Sequence, residues 1–153
     1  MKKHHFRTIS YTIIVLLLSG TFKTKAQTIS YYPWRDMISV ATNPSKAIWV
    51  NFNIPTGLTS TLSTEVSPMI NLGFSSVANV YAGAGVNLDW VRSLMEDDVK
   101  LIKGYTATIG TRAYPFPKAN KVSINFDLSP AFSHDFKAVN IRAFLGVGYN
   151  FNR

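Results

Sequence analysis

The stretch VNIRAFLGVGYNF, from Val139 to Phe151, alternates between two kinds of side chain. One set is apolar throughout: Val139, Ile141, Ala143, Leu145, Val147, Tyr149 and Phe151. The other is mostly polar or glycine: Asn140, Arg142, Phe144, Gly146, Gly148 and Asn150. A repeat of two predicts a β-strand, because successive side chains of a strand point to opposite faces. The run is longer than the common strand of roughly 5–6 residues, and a tilted strand that crosses a bilayer needs about 9–11.

The same alternation recurs through the chain from Lys46 onward. Five further runs have this design: residues 48–54, 62–74, 79–90, 104–113 and 122–133. None is a continuous apolar run, which argues against a buried parallel sheet. The sequence therefore predicts an all-β fold, an antiparallel meander closed into a small membrane β-barrel of six or eight strands, six of them clear.

Two settings fit such strands. In a membrane barrel the apolar face contacts lipid, and the polar and glycine face lines the lumen. In a soluble periplasmic barrel the apolar face would turn inward and bind an apolar ligand. Aromatic residues at the strand ends favour the membrane, since aromatic side chains concentrate at both bilayer interfaces. One rim is predicted to carry Phe74, Phe116, Tyr149 and Phe151, and the other Trp90, Tyr105 and Phe132. Val80, Val86, Ile109, Ile124, Leu145 and Val147 are expected on the outer surface.

The N-terminus has the pattern of a secretory signal peptide. Basic residues precede a short apolar core, Tyr11 to Leu18, and Thr24-Lys25-Ala26 is a plausible cleavage site. Five of the 16 basic residues lie in residues 1–26, which hold no acidic residue, so the remainder carries 11 basic and 8 acidic residues. The formal charge of +8 therefore belongs mostly to this segment, and nucleic-acid binding loses its main support.

The predicted domain organisation has three parts. Residues 1–26 are the signal peptide, residues 27–45 an N-terminal arm, and residues 46–153 the β-barrel domain. Pro33 interrupts any regular element in the arm. The arm is expected to pack on the sheet, to plug one end of the barrel or to add strands to it.

Two runs carry a resemblance to a known class of protein. They are Gly-Thr-Arg-Ala-Tyr-Pro, from Gly110 to Pro115, and the closing Gly-Val-Gly-Tyr-Asn-Phe, from Gly146 to Phe151. With these runs, the region from Lys46 to Phe151 resembles the small outer-membrane β-barrel proteins of Gram-negative bacteria. The resemblance implies an outer-membrane location with lipids as partners. The sequence departs from that class in ending with Asn152-Arg153 after its last aromatic residue, and in showing six clear strands where single-chain barrels begin at about eight.

No catalytic or metal site is predicted. Ser133-His134-Asp135 contains the residue types of a hydrolase triad, but consecutive residues cannot align along one proton path, so a polar turn is expected. Glu96-Asp97-Asp98 fits a solvated loop as well as a cation site. His134 is the only histidine after residue 26 and the chain has no cysteine, which excludes multi-histidine and thiolate metal sites within one chain. We expect a non-enzymatic protein without a cofactor, with a structural or interaction role and a largely filled lumen.

The charged residues of the polar faces predict an ion network inside the barrel. If the last hairpin turns between His134 and Asp135, Asp127 lies opposite Arg142, and directly opposed residues of an antiparallel pair share a face. Arg112, on the preceding strand, faces the same lumen. The sequence thus predicts that Asp127 bridges Arg142 and Arg112.

Overall fold

The computed structural model describes residues 28–57, 63–90, 93, 99–116 and 120–151. Within these residues the chain forms eight strands: β1 (Thr28–Tyr32), β2 (Met37–Ala41), β3 (Ile48–Pro55), β4 (Ser63–Phe74), β5 (Ala78–Asp89), β6 (Ile102–Ala113), β7 (Val122–Ser133) and β8 (Val139–Asn150). Each strand is antiparallel to the next, and β1 also pairs with β8. The predicted fold, an antiparallel meander closed into a small barrel, is confirmed with eight strands. The predicted signal peptide, residues 1–26, lies outside the described residues.

The segment predicted as an N-terminal arm forms part of the barrel wall. It contains β1 and β2, which pair with each other, with β8 and with β3. Pro33 ends β1 and begins a single turn of 3-10 helix, Pro33–Arg35. Asp36 then takes a left-handed conformation, with φ of 43°, which reverses the chain into β2. Of the three expectations for this segment, the structure shows the one in which it adds strands to the barrel, because Pro33 divides a strand region into a short hairpin. The barrel therefore includes residues before position 46.

The apolar faces of the strands point out of the barrel. Ile109 and Val147 are 51% and 57% exposed, and Val80, Ile124 and Leu145 are exposed as well. Val86 is half-buried. The opposite faces are buried and polar, with side chains such as Asn125, Asp127 and Arg112 turned inward. The predicted orientation of the two faces is confirmed. Among the described residues, no helix combines the length and hydropathy needed to cross a bilayer.

The barrel has two distinct ends. We call the one that holds the start of β1 and the end of β8 the terminal end, and the opposite one the distal end. Exposed aromatic residues at the terminal end are Phe74, Phe116, Tyr149 and Phe151. Aromatic residues toward the distal end are Trp90, Tyr105, Phe132 and Phe136. The ring of Phe136 stacks on Tyr105, with centroids 5.1 Å apart. The aromatic residues predicted for the two rims thus lie at opposite ends of the barrel.

The predicted register of the last hairpin is wrong by two residues. Asp127 pairs with Phe144, and Ser129 pairs with Arg142. The Phe136 N–H donates to the Ser133 carbonyl over 2.9 Å, and Phe136 has a left-handed φ of 58°. This turn moves the centre of the hairpin by one residue and the pairing by two. Because side chains alternate with a period of two, every residue keeps its predicted face.

Candidate functional site in the barrel lumen

The lumen consists of two regions of different character. Toward the terminal end, large side chains fill it, and we call this region the packed half. Its core contains Trp49, Met69 and Tyr81, each at most 3% exposed. Toward the distal end, the lumen widens into a cavity of about 650 Å³, which we call the vestibule. Phe144 lines the vestibule, and its ring packs edge-on against Tyr32, with centroids 6.0 Å apart.

The packed half is built around the carboxylate of Asp127. The hydroxyl of Tyr32 donates to Asp127 Oδ2 over 2.6 Å, and that of Tyr81 donates to Asp127 Oδ1 over 2.5 Å. Both donors come from strands that are not adjacent to β7. A buried carboxylate is tolerated when such bonds satisfy it.

Two glycines on the lumen face make these hydrogen bonds possible. Gly110 lies between Tyr81 and Asp127 in the sheet, paired with both. A Cβ atom at Gly110 would come within 2.6 Å of the Tyr81 ring. Gly146 makes room for the other tyrosine, because a Cβ atom there would lie 2.7 Å from the Tyr32 ring. Because these two positions have no side chain, the rings of Tyr32 and Tyr81 can lie over the inner face of the sheet, and both hydroxyls reach the Asp127 carboxylate.

Arg112 lies in the same region but uses other partners. Its Nε donates to Asn125 Oδ1 over 3.1 Å, and the Asn125 amide donates to Ser30 Oγ over 2.8 Å. Its guanidinium also lies 5.2 Å from the ring centroid of Trp49 and 5.6 Å from that of Tyr81. Cation–π contacts of this kind stabilise a cation that is shielded from water. These contacts join β6, β7 and β1 across the interior.

An ion pair crosses the lumen in the vestibule. The Arg142 Nη2 atom of β8 lies 3.2 Å from Glu65 Oε2 of β4. Glu65 also accepts hydrogen bonds from Asn53 and Ser67, each over 3.3 Å. Both charged side chains are largely buried, at 16% and 9% exposure. The pair ties together two strands on different sides of the barrel.

A second arginine lies close to this pair. The guanidinium of Arg35 is 5.3 Å from the ring centroid of Phe144, and that of Arg142 is 5.5 Å from the same centroid. Arg35 belongs to the turn between β1 and β2. Burial, together with the positive charge of Arg142, lowers the pKa of Arg35 from its ordinary value, and the negative charge of Glu65 opposes this shift. Two arginines and one glutamate therefore share one side of the vestibule.

The three residues predicted as an ion network all turn inward, but they divide between the two regions. Arg142 has Glu65 as its carboxylate partner, and Asp127 is held by two tyrosines. The shift of the hairpin by two residues moves Arg142 toward the distal end, away from Asp127. The predicted bridge between Asp127 and Arg142 is wrong for this reason. Sequence reasoning named neither Glu65 nor the tyrosines as partners, because strand register decides those contacts.

The residues considered for catalysis form a turn. The Ser133 hydroxyl donates to Asp135 Oδ1 over 2.6 Å, and the Lys137 N–H donates to the same oxygen over 3.3 Å. These bonds place Ser133 directly on the carboxylate, without the histidine between them that a triad requires. Glu96-Asp97-Asp98 lies outside the described residues. Within the described ranges, no group of three or more potential ligands is arranged to hold a metal ion.

No protein-family model, curated protein or solved structure matches the chain.

Proposed function

We propose that the chain is a small outer-membrane β-barrel of a Gram-negative bacterium, exported with a signal peptide and embedded with its apolar face in lipid. The observation that carries the proposal is the inverted distribution of side chains. Apolar residues cover the outside of the closed sheet, while aspartate, glutamate, arginine and asparagine are buried inside. In water this arrangement exposes apolar surface and buries charge, both of which are unfavourable. In a bilayer the apolar surface contacts lipid, and the interior of the barrel is more favourable for the paired charges than contact with lipid.

The dimensions of the apolar surface support the proposal. On β7 the outward residues run from Val122 to Phe132. At roughly 3.3 Å per residue and a tilt of about 40°, this run covers ~25 Å of barrel height, the height of a lipid-facing band. The two aromatic groups lie at its ends, where the interfaces of a bilayer select such residues. The closure of the sheet supports it too, because closure leaves few backbone groups without partners in lipid.

The proposed role is structural or interactive rather than catalytic. The tight packing around Asp127 closes the terminal half of the lumen, which argues against a wide aqueous channel. In single-channel recordings of the purified protein in planar bilayers, we expect no steps of porin size. Regular large steps would contradict the filled lumen and would leave the membrane location intact.

The membrane setting is tested by fractionation of cells that express the full chain. We expect the protein in the outer membrane, resistant to carbonate and urea, and released by detergent. The heated and unheated samples should migrate differently in SDS gels, as folded barrels do. N-terminal sequencing should find a chain that starts near Gln27.

The second candidate is a soluble periplasmic barrel that binds an apolar ligand inside. Recovery of the protein in the periplasmic fraction without detergent would reject the membrane setting and favour this candidate. The polar lining of the lumen argues against it, since an apolar ligand would gain little from contact with Glu65, Arg142 and Asn53.

A further inference from the structure

The wall of the barrel is lower on one side than on the others. β1 and β2 have five residues each, whereas β8 has twelve. β1 pairs with β8 only from Thr28–Asn150 to Tyr31–Val147. Among the described residues, the part of β8 from Val139 to Leu145 therefore has no neighbouring strand on its β1 side. We call this opening in the distal half of the wall the lateral gap.

The exposed edge of β8 determines the depth at which the gap can lie. The main-chain bonds of Ser133 with Ala138 and of Asn150 with Lys121 show that even-numbered residues of β8 bond to β7. Main-chain groups of odd-numbered residues, such as Ile141, then point into the gap. Unpaired main-chain groups are not stable in hydrocarbon. The part of the gap beside Val139 and Ile141 is at the distal end of the apolar band. We therefore assign that part to the level of lipid head groups.

The gap joins two surfaces of opposite character. Inside lies the vestibule, whose described charged lining residues are Arg35, Lys103, Arg142 and Glu65, which gives an excess of positive charge. Outside lie Val139 and Ile141, 58% and 72% exposed. A molecule in the gap would thus contact cations on one side and the apolar outer surface on the other.

We propose that the vestibule binds the anionic head group of a membrane amphiphile through the lateral gap, with the acyl chain held against β8 beside Ile141. Guanidinium groups pair well with phosphate and carboxylate oxygens. Among the described residues Arg35 has an aromatic contact but forms no ion pair, and the nearby Glu65 is already paired with Arg142. Its guanidinium can therefore take an anion as a partner. A free anion would satisfy the cations but would leave the exposed apolar edge uncovered. The inference rests on the proposed membrane location.

The experiment measures lipid selectivity in phosphatidylcholine nanodiscs that contain the full mature protein. A trace of spin-labelled phosphatidylglycerol or spin-labelled phosphatidylcholine is added, and the motionally restricted fraction is measured by electron paramagnetic resonance. A cation near a lipid surface is worth about a fivefold change in anionic-lipid association. We therefore expect the wild type to prefer phosphatidylglycerol by at least about that factor, and Arg35→Gln to lose most of the preference.

Two variants control for general charge effects. Lys46→Gln removes an exposed cation near the terminal end, away from the vestibule, and should leave the preference unchanged. Glu65→Gln removes the carboxylate of the vestibule and should raise the preference. Heat-dependent gel migration of each variant verifies that the barrel is folded.

The possible results separate the two proposals. Failure of the folded wild type to insert into bilayers would reject the membrane location itself. Insertion with no lipid preference, or equal losses in Arg35→Gln and Lys46→Gln, would overturn the vestibule proposal alone. Loss of the preference in millimolar inorganic phosphate would assign the site to a free anion and would also overturn it.

Discussion

The two halves of the lumen solve the same physical problem in different ways. Each contains buried charge inside a narrow barrel. In the packed half, Asp127 is satisfied by neutral donors, the hydroxyls of Tyr32 and Tyr81. In the vestibule, Arg142 is paired with an opposite charge, Glu65, and the two side chains line an open cavity.

This difference indicates which half provides stability and which is available for binding. The contacts of the packed half join β1, β5, β6 and β7, and they fill the space around them. The vestibule has spare volume and more positive than negative charge. A charge pair with adjacent space can exchange its partner for a ligand, whereas a carboxylate enclosed by two tyrosine rings cannot.

The largest expected effect is that of Asp127→Ala. It would leave two buried hydroxyls without their acceptor and remove a carboxylate from the neighbourhood of Arg112. We expect a loss of about 3–5 kcal/mol in the free energy of unfolding, measured by urea titration of the barrel in detergent micelles.

The matched variant in the vestibule is Glu65→Ala, which removes the partner of Arg142. Water can enter the cavity and solvate the remaining cation, so the loss should be smaller and more sensitive to salt. Equal losses at Asp127 and Glu65 would show that the two halves do not differ in the way we describe.

An arginine placed on the outer surface tests how deep each half of the barrel lies in the bilayer. Leu145 faces outward near the middle of β8, and Leu145→Arg should cost about 2–4 kcal/mol in a bilayer. Ile141→Arg, on the same strand and face but nearer the distal end, should cost only about 0–1 kcal/mol, as expected at an interface. Unfolding titrations in lipid vesicles measure both values. A larger loss at Ile141 than at Leu145 would contradict the proposed depth of the barrel.

A single methyl group tests how tightly the packed half is filled. In Gly110→Ala the new Cβ would meet the Tyr81 ring and the Asp127 carboxylate. Overpacking of this kind should cost about 1–3 kcal/mol. Gly73→Ala is the control, because an added Cβ there has no neighbour within 4 Å. Comparable stability of the two variants in urea would show that the region around Asp127 has room to adjust.

Much of the fold could be predicted because alternation is a local property. Six of the strands, and the directions in which their two faces point, followed from a repeat of two. The first two strands did not, because Pro33 and the short runs around it contain too few residues for the repeat to be read. Their place in the wall depends on pairing with β8, which is distant in sequence.

The site was less predictable because it depends on register. The residue types of the network were recognisable, and Asp127, Arg112 and Arg142 do turn inward. Their partners could not be predicted, since the left-handed Phe136 displaces the last hairpin by two residues. The glycine at position 110 indicated spare room, but only the register shows that a tyrosine ring fills it.

The smallest expected effect concerns pH at the distal end, where water reaches the hairpin turn. The hydrogen bond from Ser133, followed by that from the Lys137 N–H, lowers the pKa of Asp135 below its ordinary value. A carboxylate with a lowered folded pKa stabilises the fold above its unfolded pKa, about 3.9, and this contribution disappears as pH falls through the folded value.

We therefore expect the amide resonances of Phe136 and Lys137 in detergent micelles to shift as the pH falls below about 3.9, while that of Gly110 in the packed half stays constant. Ser133→Ala removes the main cause of the lowered pKa and should move the midpoint of the shift to higher pH. An unchanged midpoint would mean that the Ser133 hydroxyl does not hold Asp135. A simultaneous shift of Gly110 would mean that the two halves of the lumen respond to acid as one unit, against the separation proposed between a closed core and an open vestibule.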